Sequence, residues 1–170
     1  QFAGDKDLDV LGSFAVDIDK NENRGMLRRK PAVHEDIVRS LWSNPFIHST
    51  VMFKKDRVLA AGGYDTSLKR RQDYELWFRL ASCGLKFANI PEPLVLYRFS
   101  HETHRKQPVK LAWQQARIGY SGACLLEMAW WKKAACFEPF LRSLLPGPMQ
   151  HMVYKGLRMI DPLYRKCTCQ

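Results

Sequence analysis

The chain predicts an α/β fold, a mixed sheet with flanking helices and a helical C-terminal tail. Three observations predict it. Val10 to Ile18 alternates as a half-buried strand does. An apolar, largely β-branched run, Phe46 to Phe53, follows Asn44-Pro45. Tyr74, Trp77, Phe78 and Ala81 recur at i, i+3, i+4 and i+7, which is the spacing of one helix face. At 170 residues, with 46% hydrophobic and 26% charged positions, a single globular domain is the prior.

Taken in order, Val10 to Ile18 is the first strand, and Asp19-Lys20-Asn21-Glu22-Asn23 has the composition of a turn between two strands. Two metal motifs overlap this stretch and both fail. A calcium loop would need glycine where Glu22 stands and a closing acid where Arg28 stands. The Asp17-Ile18-Asp19 pair lies inside an alternating strand and its turn, which predicts a hairpin tip. Glu35 to Trp42 reads as a helix. Phe46 to Phe53 reads as a central strand whose small hydroxyls, Ser49 and Thr50, let a neighbour approach, and His48 on it reads as a core residue. Lys54 to Ala61 ends at Gly62-Gly63, a helix stop that offers positive φ, and Tyr64-Asp65 leads the chain away from the sheet.

The next helix runs from Asp73 to Cys83, with Gly84 as its stop, and strands follow at Lys86 to Ile90 and Leu94 to Phe99. From Pro108 to Lys133 the pattern is helical, with Leu111, Ile118, Leu125, Met128 and Ala129 as its apolar face. Pro139, Pro146 and Pro148 cut the remainder into short helices. The chain therefore divides into residues 1–107 and a helical, basic segment, 108–170.

Charge is unevenly placed. Lysine and arginine number 27 against 17 acidic residues, and residues 101–170 hold 11 basic and 4 acidic side chains, an asymmetry that points to an anionic partner. Trp130-Trp131-Lys132-Lys133 and the stretch from Met149 to Ile160 place aromatic, basic and apolar residues together, as helices lying on an anionic membrane do; packing on the domain is the competing reading. Nucleic acid is the weaker partner, because the basic residues are scattered among apolar helices without a recognition motif. The five cysteines, Cys83, Cys124, Cys136, Cys167 and Cys169, have no paired metal spacing and read as reduced thiols.

Asp73, at the mouth of its helix, is the residue with the clearest chemical use. Backbone N–H groups there favour the ionised carboxylate, which can serve either as an N-cap or as a base that accepts a proton from an attacking hydroxyl. Arg98, Arg70 and Arg71 carry guanidinium groups suited to phosphate oxygens. Trp77 offers either a sugar-stacking face or a core side chain.

Asn44 to Phe53, Gly62-Gly63-Tyr64-Asp65, Gln72-Asp73-Tyr74-Glu75-Leu76-Trp77-Phe78-Arg79 and Pro91-Glu92-Pro93-Leu94 to Tyr97-Arg98 together resemble the acceptor-side half of a family 2 inverting glycosyltransferase of GT-A fold. The likeness runs from about Leu8 to His101. It implies a partial GT-A mixed sheet, with Asp73 as the base that deprotonates the acceptor hydroxyl. It also implies acceptor contacts from Gly63, Tyr64, Asp65, Gln72 and Trp77. Donor diphosphate contacts would come from Arg98, His101, Arg70 and Arg71, with His101 also the one metal-ligand candidate. The family usually has glutamate where Gln72 stands. The resemblance further implies a nucleotide-sugar donor, a glycan or lipid-linked acceptor, and Mn²⁺ or Mg²⁺ held by an Asp-x-Asp motif in a nucleotide-binding half that this chain does not contain. A fragment is therefore expected, inactive alone, in the cytoplasm or peripheral on the inner face of the membrane.

Overall fold

A computed structural model describes residue 4, residues 6–98, residues 108–146 and residue 149. Its centre is β1 (Leu8–Ile18), buried along most of its length. On one side β1 pairs in parallel with β4 (Lys86–Arg98), from Leu8 opposite Lys86 to Ile18 opposite Arg98. On the other side lie two short antiparallel partners, β2 (Arg24–Arg28) along the second half of β1 and β3 (Met52–Phe53) along the first. The helices are α1 (His34–Arg39), α2 (Lys55–Ala60), α3 (Gln72–Ser82), α4 (Val109–Leu125), α5 (Trp130–Ala135) and α6 (Glu138–Ser143). The fold is thus α/β with an open, mixed sheet and flanking helices, consistent with part of a GT-A-like fold.

Trp77, Leu76 and Leu80 of α3 are fully buried with Val10 of β1, Phe87 of β4 and Ile37 of α1. Phe46 joins this core through ring contacts with Trp77 at 5.0 Å and Phe87 at 5.7 Å. Removing a buried indole of this kind costs about 3–5 kcal/mol, so Trp77 is a main contributor to this core.

The strand expected over Phe46 to Phe53 is corrected. Residues 48–50 form a 3₁₀ turn, and only Met52–Phe53 joins the sheet, beside one end of β1. Thr50 explains this. Its hydroxyl accepts the Ser13 N–H at 2.9 Å and lies within donating distance of the Ser13 and Ile47 carbonyls, replacing ladder bonds by side-chain ones. Phe46 and Ile47 are buried as a loop, and burial, not strand pairing, accounts for the apolar run. His48 is exposed, which corrects its reading as a core residue.

The two strands expected after α3 are one. Between Ser13–Ile90 and Phe14–Pro93 the register shifts, so Pro91 and Glu92 sit in a bulge that the proline-rich sequence accommodates without ending the strand. Among the described residues β4 pairs only with β1, leaving Leu94 and Leu96 exposed.

The helix expected over Pro108 to Lys133 breaks at residues 126–129, where Glu127 turns with φ 49°, and its buried face also differs. Ala112, Ala116, Gly119, Gly122 and Ala123 face inward while Leu125 is exposed. A Cβ on Gly122 would lie 2.2 Å from the Phe78 ring, so α4 approaches α3 at a distance that only small residues permit. The Asp17–Asp19 stretch is a hairpin. Asp17 pairs with Arg28 across it, and Asp19 accepts the N–H groups of Asn21 at 2.8 Å and Asn23 at 2.9 Å. The Asn23 amide contributes most to holding the Asp19 carboxyl below its usual range.

Candidate functional site

Three chain segments meet at the N-terminal end of α3. The first is the glycine loop. Gly62 and Gly63 adopt φ of 94° and 63°, a backbone that side chains other than glycine's rarely tolerate. Arg79, two turns along α3, holds this loop to the helix: its guanidinium donates to the Gly63 carbonyl at 2.6 Å and to the Ala61 carbonyl. Glu75 completes the clamp, accepting from Arg79 Nε at 2.9 Å and Nη2 at 2.8 Å, and this raises the already high Arg79 pKa further.

The clamp fixes Tyr64, the next residue. Its hydroxyl lies 3.0 Å from His48 Nε2, and its ring packs edge-on against Phe53 at 6.4 Å. The second segment is therefore the 3₁₀ turn that carries His48. Partial burial, and secondarily the charge of Asp73, push the Tyr64 phenol pKa up, so the phenol keeps its proton. Asp65 turns away; its carboxylate accepts the Ser67 N–H at 2.9 Å, and Ser67 holds the Asp65 carboxyl below its usual range.

The third segment is the first turn of α3. Arg71 takes the capping position in a left-handed conformation, φ 67°, without a side-chain cap, and its carbonyl accepts the Glu75 N–H at 3.2 Å. Gln72 and Asp73 follow inside the helix. Asp73 is thus not the N-cap, and its half-buried carboxylate makes no hydrogen bond or ion pair among the described residues. Helical phase puts Asp73 on the same side of α3 as Trp77 and Leu80, the side that faces the sheet.

The structure places Tyr64 where it feels the charge of Asp73, with Gly63 and Gln72 their neighbours in the chain, and adds His48 at the Tyr64 hydroxyl to this rim. Trp77 is corrected: it is fully buried, 6.2 Å from the His48 ring, and lies beneath the rim as its floor, with no face for a ligand. Arg70 is exposed on the approach to α3. Arg98 lies at the hairpin tip, within 3.5 Å of the Glu22 carboxylate and the Asp19 carbonyl, and makes no contact with the Asp73 rim among the described residues. His101 and His104 lie outside the described residues, as do Cys167, Cys169 and the tail from residue 150.

Among the described residues no group of three or more His, Cys, Asp or Glu could hold a metal ion, and no helix is long and apolar enough to cross a membrane. Asp17 and Asp19, engaged by Arg28 and by the hairpin backbone, do not fit a divalent-cation site.

Arg79 and His48 are the participants the sequence reading missed. Arg79 ends the quoted α3 motif, four residues after Glu75, and that spacing is the signal of an ion pair along one helix face. His48 carried no such signal, because its surroundings depend on a turn that the apolar run disguised.

No family model matches the chain. Known proteins do. The chain is 34% identical over 99 residues to the amylovoran biosynthesis glycosyltransferase AmsE of Erwinia amylovora, covering 58% of this chain and 36% of that protein. It is 30% identical over 116 residues to the UDP-Gal:alpha-D-GlcNAc-diphosphoundecaprenol beta-1,3-galactosyltransferase of Escherichia coli, covering 67% of this chain and 42% of that protein. The O-antigen biosynthesis glycosyltransferase WbnJ of Escherichia coli is 34% identical over 104 residues, with 59% and 40% covered. The chain therefore spans roughly two fifths of the length of these relatives. On these similarities the chain corresponds to a part of known glycosyltransferases.

Proposed function

We propose that this chain carries the acceptor side of an inverting, family 2 glycosyltransferase, with Asp73 as the general base. One observation supports the reading above the others: the Asp73 carboxylate is half-buried at a fixed rim, beside Tyr64, with no hydrogen bond or ion pair among the described residues. A structural N-cap would have its oxygen on a backbone N–H; this one keeps its lone pairs for an incoming proton.

The acceptor hydroxyl would lie against Asp73, with Tyr64 and the Gly63 backbone beside it. As its oxygen attacks the anomeric carbon of a nucleotide-sugar, its proton passes to Asp73. The bond from that carbon to the diphosphate breaks, and a nucleoside diphosphate leaves. A single in-line displacement inverts the anomeric centre. The Mn²⁺ or Mg²⁺ that the resemblance implies would neutralise the leaving diphosphate, and the described residues do not form its site.

The galactosyltransferase relative has a diphosphoundecaprenol-linked acceptor in its name, and two others are named for amylovoran and O-antigen biosynthesis, so an envelope glycan or its lipid-linked precursor is the proposed acceptor. A place on the inner membrane surface accords with Trp130, 80% exposed beside Lys132 and Lys133. The test is sugar transfer from a panel of nucleotide-sugars by this polypeptide and by one joining it to a nucleotide-binding half. Transfer with inverted anomeric configuration by the joined form is expected; transfer with retention would exclude the mechanism.

A further inference from the structure

A cavity of about 760 Å³ lies between α3 and α4. It opens beside Asp65, so the loop that presents Tyr64 to the rim also forms the cavity's near wall. Glu75, Phe78 and Arg79 of α3 form one side. The other is α4, where Lys110, Gln114, Arg117, Ser121 and Leu125 form a stripe spaced by three or four residues, with Trp113 and Ile118 beside it.

That stripe is ordered by polarity. Gly119 of α4 sits against Tyr74 of α3 and Gly122 against Phe78, so the two helices advance in the same sense across their contact. Lys110 and Arg117 therefore lie toward the N-terminal end of α3, where Asp73 is. Leu125, with Phe78 opposite Gly122, lies toward the other end, and Ile118 follows Arg117 between the two. The charges are also unequally engaged. Glu75 is held by Arg79 and Asp65 by Ser67, whereas Lys110 and Arg117 make no hydrogen bond or ion pair among the described residues. Two cations facing a cavity at one end of an apolar wall recognise an anion attached to a hydrocarbon.

We infer that the α3–α4 cavity binds the phosphate-bearing part of an amphiphilic acceptor, with Lys110 and Arg117 on the phosphates and Phe78, Ile118 and Leu125 along the first part of its apolar chain. The inference rests on the sugar-transfer reading and specifies its acceptor. It accounts for an exposed Leu125, 57% accessible, on a helix whose other face is closely packed.

The probe is geranyl diphosphate, compared with geraniol and inorganic diphosphate by isothermal titration calorimetry on this chain. Geranyl diphosphate is expected to bind on the order of ten-fold tighter than either half alone, since charge-assisted bonds and apolar burial both contribute. The double variant Lys110→Ala/Arg117→Ala is expected to lose about ten-fold or more. Leu125→Ser should weaken geranyl diphosphate and leave inorganic diphosphate unchanged. All three positions are at the surface or cavity wall, and circular dichroism checks that the variants fold. Undiminished binding by the double variant would overturn the proposal. Equal affinity for inorganic and geranyl diphosphate would also overturn it, leaving a simple anion site. Asp73→Asn is expected to bind like the parent. Intact binding without sugar transfer in the joined form would remove the transfer reading and not the cavity's ligand.

Discussion

Arg79 donates to the Gly63 carbonyl at 2.6 Å, and to the Ala61 carbonyl, while Glu75 holds its guanidinium from the other side, and this clamp fixes the glycine loop to α3. The loop and the helix carry the two halves of the candidate site, Tyr64 and Asp73. Their relative position therefore depends on a side chain that touches neither.

Replacing Arg79 tests that dependence. Arg79→Ala leaves the Gly63 carbonyl and the Glu75 carboxylate without this partner and should cost about 1–3 kcal/mol of unfolding free energy in urea denaturation. In the joined enzyme it should also raise the acceptor KM more than the donor KM, because the Tyr64 side of the rim is released. Arg79→Lys should recover only part of either effect, since an ammonium cannot span both the carbonyls and the carboxylate.

The α3–α4 contact predicts a steric limit. Gly122→Ala puts a methyl where the Phe78 ring stands, at 2.2 Å, and should destabilise the chain by about 1–3 kcal/mol through overpacking. Leu125→Ala, on the exposed side of the same helix, should leave the melting temperature nearly unchanged.

The same comparison shows what the sequence made legible. Tyr74, Trp77 and Phe78 announced α3 because a period of 3.6 survives burial, and Gly62-Gly63 announced its loop because positive φ needs glycine. The buried face of α4 was hidden. Close packing selected Gly119 and Gly122 where periodicity favoured Leu111 and Leu125, and small residues carry no hydrophobic signal of their own. The strand over Phe46 to Phe53 failed for a related reason: Thr50 satisfies the Ser13 backbone from its side chain, a bond set by tertiary proximity. Asp73 was visible from its place before an apolar helix, whereas His48 became visible only once Tyr64 was placed beside it.

Cys136 gives a prediction in pH. Burial, the largest cause, pushes its thiol pKa from 9.0 up to about 11, and burial likewise raises the Tyr74 phenol, which donates to the Trp42 carbonyl at 2.6 Å. The folded chain then keeps protons that the unfolded chain has released. Unfolding free energy should fall as pH rises from about 9 towards 11, having been fully present below 9. Iodoacetamide should modify the exposed Cys83 and Cys124 of the native chain and reach Cys136 only on unfolding, as read by mass spectrometry of the peptides.

The most direct measurement is the effect of Asp73→Asn on sugar transfer by the polypeptide that joins this chain to a nucleotide-binding half. Asparagine keeps the size and polarity of the side chain and removes its ability to take the proton. The expected result is a fall in kcat of about 10²–10⁴-fold with the dissociation constant of the sugar-nucleotide unchanged. Transfer at the parent rate by Asp73→Asn would contradict it and remove Asp73 as the base.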